Sequence, residues 1–183
     1  EARLTPFAVL AWLVTDVLRR EPSLNATWEE GDAGAVIRLH PHVHLGVAVD
    51  TPRGLVVANV RHAEQRGLGD LAAEMHRLAT TGRAGKLTPA EMMGSTFTLS
   101  NYGAFGLDDG ASIINHPEVA ILGVGAVRKR PWVDPESEEL VVRPTAKLSM
   151  SFDHRVADGG HAGRFMSRLA DLIAVPERLL LER

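Results

Sequence analysis

The stretch from Lys147 to Gly160 concentrates the chemistry this sequence can offer, with His154 and Asp158 four residues apart in Ser-Phe-Asp-His-Arg-Val-Ala-Asp-Gly-Gly. Leu148, Met150 and Phe152 alternate with Lys147, Ser149, Ser151 and Asp153, the period of a half-buried strand. Carrying that alternation on puts His154 on the apolar side. Burial disfavours imidazolium, so a histidine there stays neutral near pH 7 and can take a proton as a general base. The plain alternative is a core histidine satisfied by hydrogen bonds. Asp158, followed by Gly159 and Gly160, breaks the strand. Its carboxylate is placed to cap a helix carried by Ala162, Phe165, Met166, Leu169 and Leu172.

A second histidine set, His40, His42 and His44, would put three imidazoles on one face of an extended strand at ~7 Å steps. That spacing raises the question of zinc. Pro41 interrupts regular pairing and no neighbouring carboxylate or cysteine completes the set, so no metal is assigned. The chain has no cysteine, which removes disulfides, thiolate metal sites and a cysteine nucleophile. Any thiol in the chemistry must therefore belong to a substrate. No P-loop and no GxGxxG phosphate cradle is present.

The elements that must position these residues are readable in outline. Thr5 and Pro6 open a helix through Arg20 whose apolar residues fall at helical spacing, and Pro22 stops it. Leu24 to Trp28 and Ala35 to Leu39 form a hairpin around Glu-Glu-Gly-Asp-Ala-Gly; Val43 to Asp50 and Leu55 to Val60 form another around Thr-Pro-Arg-Gly. Leu68 to Ala79 is an amphipathic helix, and Thr88-Pro89-Ala90-Glu91 reads as one capped turn. A strand from Ser95 to Ser100 ends at Asn101-Tyr102-Gly103. Gly103 to Gly110 reads as a mobile surface loop. Val119 to Val127 is a central apolar strand, and Pro131 to Pro144 holds a hairpin. Helices at both ends with strands between them predict the α+β class, a mixed β-sheet sandwich with helices packed on one face.

Composition excludes several functions. A length of 183 residues with 45% hydrophobic content suits one domain with one core. The net charge of -3 comes from interspersed residues with no basic, aromatic-laced face, so nucleic acid is not expected as a partner. The longest strongly apolar run, Phe7 to Val14, is far short of the ~20 residues of a membrane span. An excess of Arg over Lys, 17 to 3, points to a bacterial cytoplasm. Residue 1 is not Met and a helix begins almost at once, so an N-terminal truncation is expected.

His154-x-x-x-Asp158-Gly159 in this setting resembles the active-site motif of the dihydrolipoamide acyltransferase cores of 2-oxo-acid dehydrogenase complexes. Chloramphenicol acetyltransferase shares the shorter motif. Pro22 to Ala26, Leu45 to Thr51, Gly94 to Gly103 and Ile114 to Val124 resemble the acyltransferase core as well, so the likeness spans nearly the whole chain. It implies a chloramphenicol acetyltransferase-like fold and one acyltransferase catalytic domain over residues 1–183. Lipoyl and partner-binding modules are then expected upstream. It further implies a homotrimer that builds a 24-mer or 60-mer core, served by 2-oxo-acid decarboxylase and dihydrolipoamide dehydrogenase components.

The same resemblance implies acyl transfer between dihydrolipoyl and coenzyme A thiols. His154 would be the base and Ser100, in Phe97-Thr98-Leu99-Ser100-Asn101, the oxyanion-stabilising hydroxyl from a neighbouring subunit. Asp158 would pair with an arginine and fix the turn. Thr5, Asp50, Ser100, Asn101 and Gly125 would contact coenzyme A, which is a substrate here. A strand-end serine satisfying turn amides remains the plain reading of Ser100. Three further alternatives stand beside this one. They are a Ser100-His154-Asp158 hydrolase, which lacks the G-x-S-x-G elbow, a non-catalytic scaffold subunit, and a chloramphenicol-type O-acetyltransferase.

Overall fold

The computed structural model describes residues 4–32 and 34–181. Helix α1 (Pro6–Arg20) starts where the sequence places it, with the Thr5 hydroxyl accepting from the Ala8 amide at 3.1 Å and Pro6 in the first turn, where its missing N–H costs nothing. From Leu10 to Leu18 it is buried throughout. Two further long helices, α2 (Leu68–Arg83) and α4 (Gly159–Ala174), pack with it. The capped turn α3 (Pro89–Met92) has the reciprocal Thr88–Glu91 bonds of a capping box, and α5 (Glu177–Leu181) closes the described chain.

The hairpin of β1 (Ala26–Gly31) and β2 (Gly34–Leu39) stands apart from the main sheet. So does that of β7 (Arg128–Val133) and β8 (Leu140–Thr145). The main sheet is five-stranded, built from β3 (Leu45–Thr51), β4 (Gly54–Val60), β5 (Phe97–Asn101), β6 (Ala120–Val124) and β9 (Leu148–Phe152), in the order β4-β3-β5-β6-β9. β3, β5 and β6 run parallel, and β4 and β9 flank them antiparallel. The α+β expectation holds, with helices on one face.

β6 is buried along its whole length, as its continuous apolar sequence requires of a strand covered on both faces. Helices cover one face. The other receives the segment after β5, where Tyr102 donates to or accepts from Ser149 at 2.8 Å and packs where a side chain on Gly123 would stand. That segment corrects the expectation of a mobile loop. A 3₁₀ turn covers Tyr102–Phe105, Asp108 pairs with Arg128 and Arg130, and Asp109 pairs with Lys147. Gly125 is required just past β6, because a Cβ there would land on the Asp108 carbonyl.

Candidate active site

Three parallel strands end together, and this gathers most of the predicted site residues. Asp50 is next to last in β3, Ser100 and Asn101 end β5, and Gly125 follows β6. Binding at the carboxyl ends of parallel strands is the general habit of such sheets. Thr5, Asn101 and Gly125 line one open, mainly apolar cleft of about 1360 Å³, together with Phe7, Trp132 and Leu148. Asp50 and Ser100 lie at the same sheet end without lining that cleft.

The side chains at this end have divided tasks. Asn101 Oδ1 accepts from the Ala104 amide at 3.1 Å and so caps the turn that follows. Ser100 is half-buried, and its hydroxyl makes no hydrogen bond to another described residue. The turn amide that a strand-end serine would satisfy is thus already taken by its neighbour. Thr5 uses its oxygen on α1 and keeps a proton to donate.

His154 lies at the other end of the sheet. The strand stops at Phe152, and His154 sits exposed in the following turn rather than on the apolar side. The cause is the backbone of Asp153. Its amide donates to the Val119 carbonyl at 2.8 Å, while its carbonyl accepts from the Val156 and Ala157 amides at 3.0 and 3.1 Å. The chain therefore turns one residue before the alternation would have buried the histidine. The turn is locked further by the Asp153 carboxylate, which takes the Arg155 guanidinium at 2.6 Å and the Arg155 amide at 2.9 Å. That guanidinium holds the Asp153 carboxyl below the usual carboxylate range and lies 4.8 Å from the Trp28 ring centre. The His154 ring rests beside Phe152, 5.9 Å between centres, and among the described residues has no hydrogen-bond partner.

Asp158 caps α4 as the sequence indicates, accepting from the Gly160 and His161 amides at 2.9 and 3.0 Å. The His161 amide, then its ring, hold the Asp158 carboxyl below its ordinary value. Its ion-pair partner among the described residues is His161; the nearby Arg164 pairs with Glu21 instead.

Register fixes how far apart the two ends are. Ser100 stands opposite Gly123, and Gly123 opposite Ser149. From Ser149 to His154 is five residues at ~3.3 Å each, and two strand spacings of ~4.8 Å separate β5 from β9, so the pair is roughly 19 Å apart. A Ser100-His154-Asp158 triad within one chain is excluded.

Beside the histidine turn, sequence reasoning missed Glu118. It lines a smaller polar cleft of about 350 Å³ with Trp28, His116, Asp153 and Arg155. The carboxylate is buried and accepts from Ser95, from Thr98 at 2.6 Å and from Asn115 at 2.8 Å. Burial pushes its pKa up despite these donors. A glutamate just ahead of a fully apolar strand is the signal that marked it.

Residues 1–181 match the model of the 2-oxoacid dehydrogenases acyltransferase (catalytic domain). The chain belongs to that family. Among its family relatives, a Staphylococcus epidermidis dihydrolipoyllysine-residue acetyltransferase component of pyruvate dehydrogenase complex is 40% identical over 97% of this chain. The match covers 40% of that protein, so the chain spans about two fifths of the length of the curated relatives it matches.

Solved acyltransferase cores share the fold. An Azotobacter vinelandii dihydrolipoamide acetyltransferase, studied for the role of a serine, a histidine and an asparagine in its mechanism, superposes with a TM-score of 0.89 at 38% identity over 98% of this chain and 72% of that one. The cubic core of a pyruvate dehydrogenase multienzyme complex gives 0.90 at 37%, with the same coverage. A chloramphenicol acetyltransferase, at 14% identity and a TM-score of 0.56 over 91% of this chain and 77% of that one, shares the fold alone.

Proposed function

We propose that this domain transfers an acyl group, acetyl by the kinship of its relatives, between a dihydrolipoyl thiol and coenzyme A. The carrying observation is the division of the chemistry: an exposed imidazole on a locked turn at one end of the sheet and a hydroxyl beside a large cleft at the other, neither with a hydrogen-bond partner among the described residues. Neither end is a complete site. A second copy that brings the Ser100 end of one chain to the His154 end of another completes it, which gives an active site between subunits of a homotrimer.

Spacing supports the same assignment. In the Azotobacter enzyme the asparagine follows the histidine by four positions and the serine precedes it by 52; here Asp158 follows His154 by four and Ser100 precedes it by 54. Closing two subunits over His154 would remove water from the ring and restore the dry surroundings that one chain alone does not give.

Free thiols titrate near ~8.5, so a base is needed to populate the attacking thiolate at neutral pH. His154 takes the proton from the coenzyme A sulfur as that sulfur attacks the thioester carbon. The carbonyl oxygen becomes an oxyanion and accepts a hydrogen bond from Ser100 of the neighbouring chain. Collapse of the adduct expels the dihydrolipoyl sulfur, which recovers the proton from His154. No bond to the protein forms. Thr5, Asn101, Gly125 and Asp50 surround the sheet end where coenzyme A would enter. The cleft suits a thiol arm: it is large, mostly apolar, and counts Arg143 among its lining residues.

Lipoyl modules on the same polypeptide, a decarboxylase and dihydrolipoamide dehydrogenase as partners, and a core of many trimers complete the proposal. The decisive measurement is kcat/KM for acetyl-, isobutyryl- and succinyl-dihydrolipoamide with coenzyme A, beside chloramphenicol as acceptor. Turnover with acetyl-dihydrolipoamide is expected. Turnover with chloramphenicol alone, or with neither, would reject the proposal.

A further inference from the structure

His42, His62 and Glu64 come from two separate segments and meet on the surface beside β3 and β4. The antiparallel register, Leu45 opposite Val60, brings the chain entering β3 against the turn leaving β4. Glu64 is nearly enclosed, its side chain 8% exposed, whereas the two rings remain about half exposed at 45% and 47%.

The carboxylate is aimed. One oxygen accepts from the Val43 amide at 2.9 Å, which turns the other toward both imidazoles, 3.0 Å from His42 Nδ1 and 3.9 Å from His62 Nδ1. One donor atom from each of the three residues lies within 4.8 Å of the others. In a tetrahedral zinc site with bonds of ~2.0–2.2 Å, ligand atoms stand roughly 3.4 Å apart. The two carboxylate-to-imidazole distances bracket that value.

The surroundings hold His62 in place. Its backbone is left-handed, φ 50° and ψ 47°, a region that few residues other than glycine adopt. Its amide donates to His44 Nδ1 at 3.1 Å, and the His44 ring stands edge-on to it at 4.7 Å. That contact occupies His44 Nδ1, so His44 supports His62 and is not itself a ligand. His40 turns elsewhere, to the Thr27 hydroxyl at 2.7 Å.

We propose that His42, His62 and Glu64 bind one divalent transition-metal ion of the zinc class, with solvent completing the coordination. Two imidazole nitrogens and one carboxylate oxygen are donors suited to zinc, copper or nickel rather than to calcium or magnesium. The Val43 amide plays the orienting part that an outer hydrogen bond plays for a ligating carboxylate. Bound metal would clip the segment before β3 to the turn after β4. Within one chain the site lies apart from both halves of the acyl-transfer machinery: β5 and β6 separate it from the strand that carries His154, and it sits before the start of β3, whereas Asp50 is near its end.

Isothermal titration of zinc into the intact, chelator-stripped protein tests this, with cobalt as a spectroscopic substitute. One equivalent per chain is expected, together with the visible bands of four-coordinate cobalt. His62→Asn keeps a residue that accepts the left-handed backbone, and His42→Gln changes a half-exposed ring; each should weaken binding at least tenfold, while His116→Ala should not. Absence of saturable binding would overturn the proposal. So would unchanged affinity in whichever of the two variants folds.

Discussion

Ser100 and His154 stand at opposite ends of one five-stranded sheet, roughly 19 Å apart by strand register. Each would have to be completed by another chain. Mixing two inactive variants therefore tests the arrangement directly. In a cyclic trimer assembled from equal parts Ser100→Ala and His154→Ala, a given interface is intact only when one subunit supplies the serine and the next the histidine. Random assembly makes that about one interface in four. Refolding the two together should restore about a quarter of wild-type activity, and no recovery at all would place both groups in one chain.

His154→Ala removes the proposed base and leaves the turn, because the turn is held by Asp153 backbone bonds and the Arg155 guanidinium. A loss of about 10²–10⁴ in kcat is expected, with the assembly unchanged on analytical ultracentrifugation. His154 lies exposed in the single chain and anchors nothing among the described residues, so loss of folding on this substitution would contradict the structure.

Ser100→Ala should lower kcat by about 10²–10³ with little change in KM, the pattern of an interaction formed only in the transition state. The intact protein, quenched during turnover and weighed by mass spectrometry, should show no acyl-serine. Ser100→Thr keeps a hydroxyl and should retain more activity than alanine.

Much of this architecture is legible in the residues themselves, because the signals are local. Thr5-Pro6 and Pro22 bound α1 to the residue, and the continuous apolar run around Ile121 marks a strand buried on both faces. The Asp158 cap was readable for the same reason. What escaped depended on distant partners. Alternation carried His154 inward only by assuming the strand continued, and the Val119 carbonyl ends it. Gly103 to Gly110 looked mobile because Arg128, Arg130 and Lys147, which tie it down, lie far along the chain. Glu64, which meets only His42 of the His-x-His-x-His set, lies some twenty residues downstream and is brought there by the β3–β4 pairing.

Gly125→Ala tests the docking of the segment after β5. The added methyl meets the Asp108 carbonyl, so either that segment or the end of β6 must move. Overpacking of this kind costs about 1–3 kcal/mol, or roughly 2–4 °C in Tm per kcal/mol for a chain of this size. Calorimetry checks the Tm. Because Gly125 also borders the cleft, KM for coenzyme A should rise more than kcat falls.

Glu118 is a buried acid whose pKa is raised by burial more than its three donors can lower it. The folded state therefore holds the proton more tightly than the unfolded chain does. Its relative contribution to stability is complete below the ordinary glutamate range, near pH 4.5, and declines as pH climbs from there through the raised value. Glu118→Gln cannot ionise, and its amide can still accept from Asn115 and donate to the Thr98 hydroxyl. The variant should lose the pH-dependent part. Urea unfolding from pH 4.5 to pH 8 should show the wild type losing stability relative to Glu118→Gln as pH rises. A difference between the two that stays flat across that range, or that runs the other way, would mean that the carboxyl ionises at least as readily in the fold as in the unfolded chain.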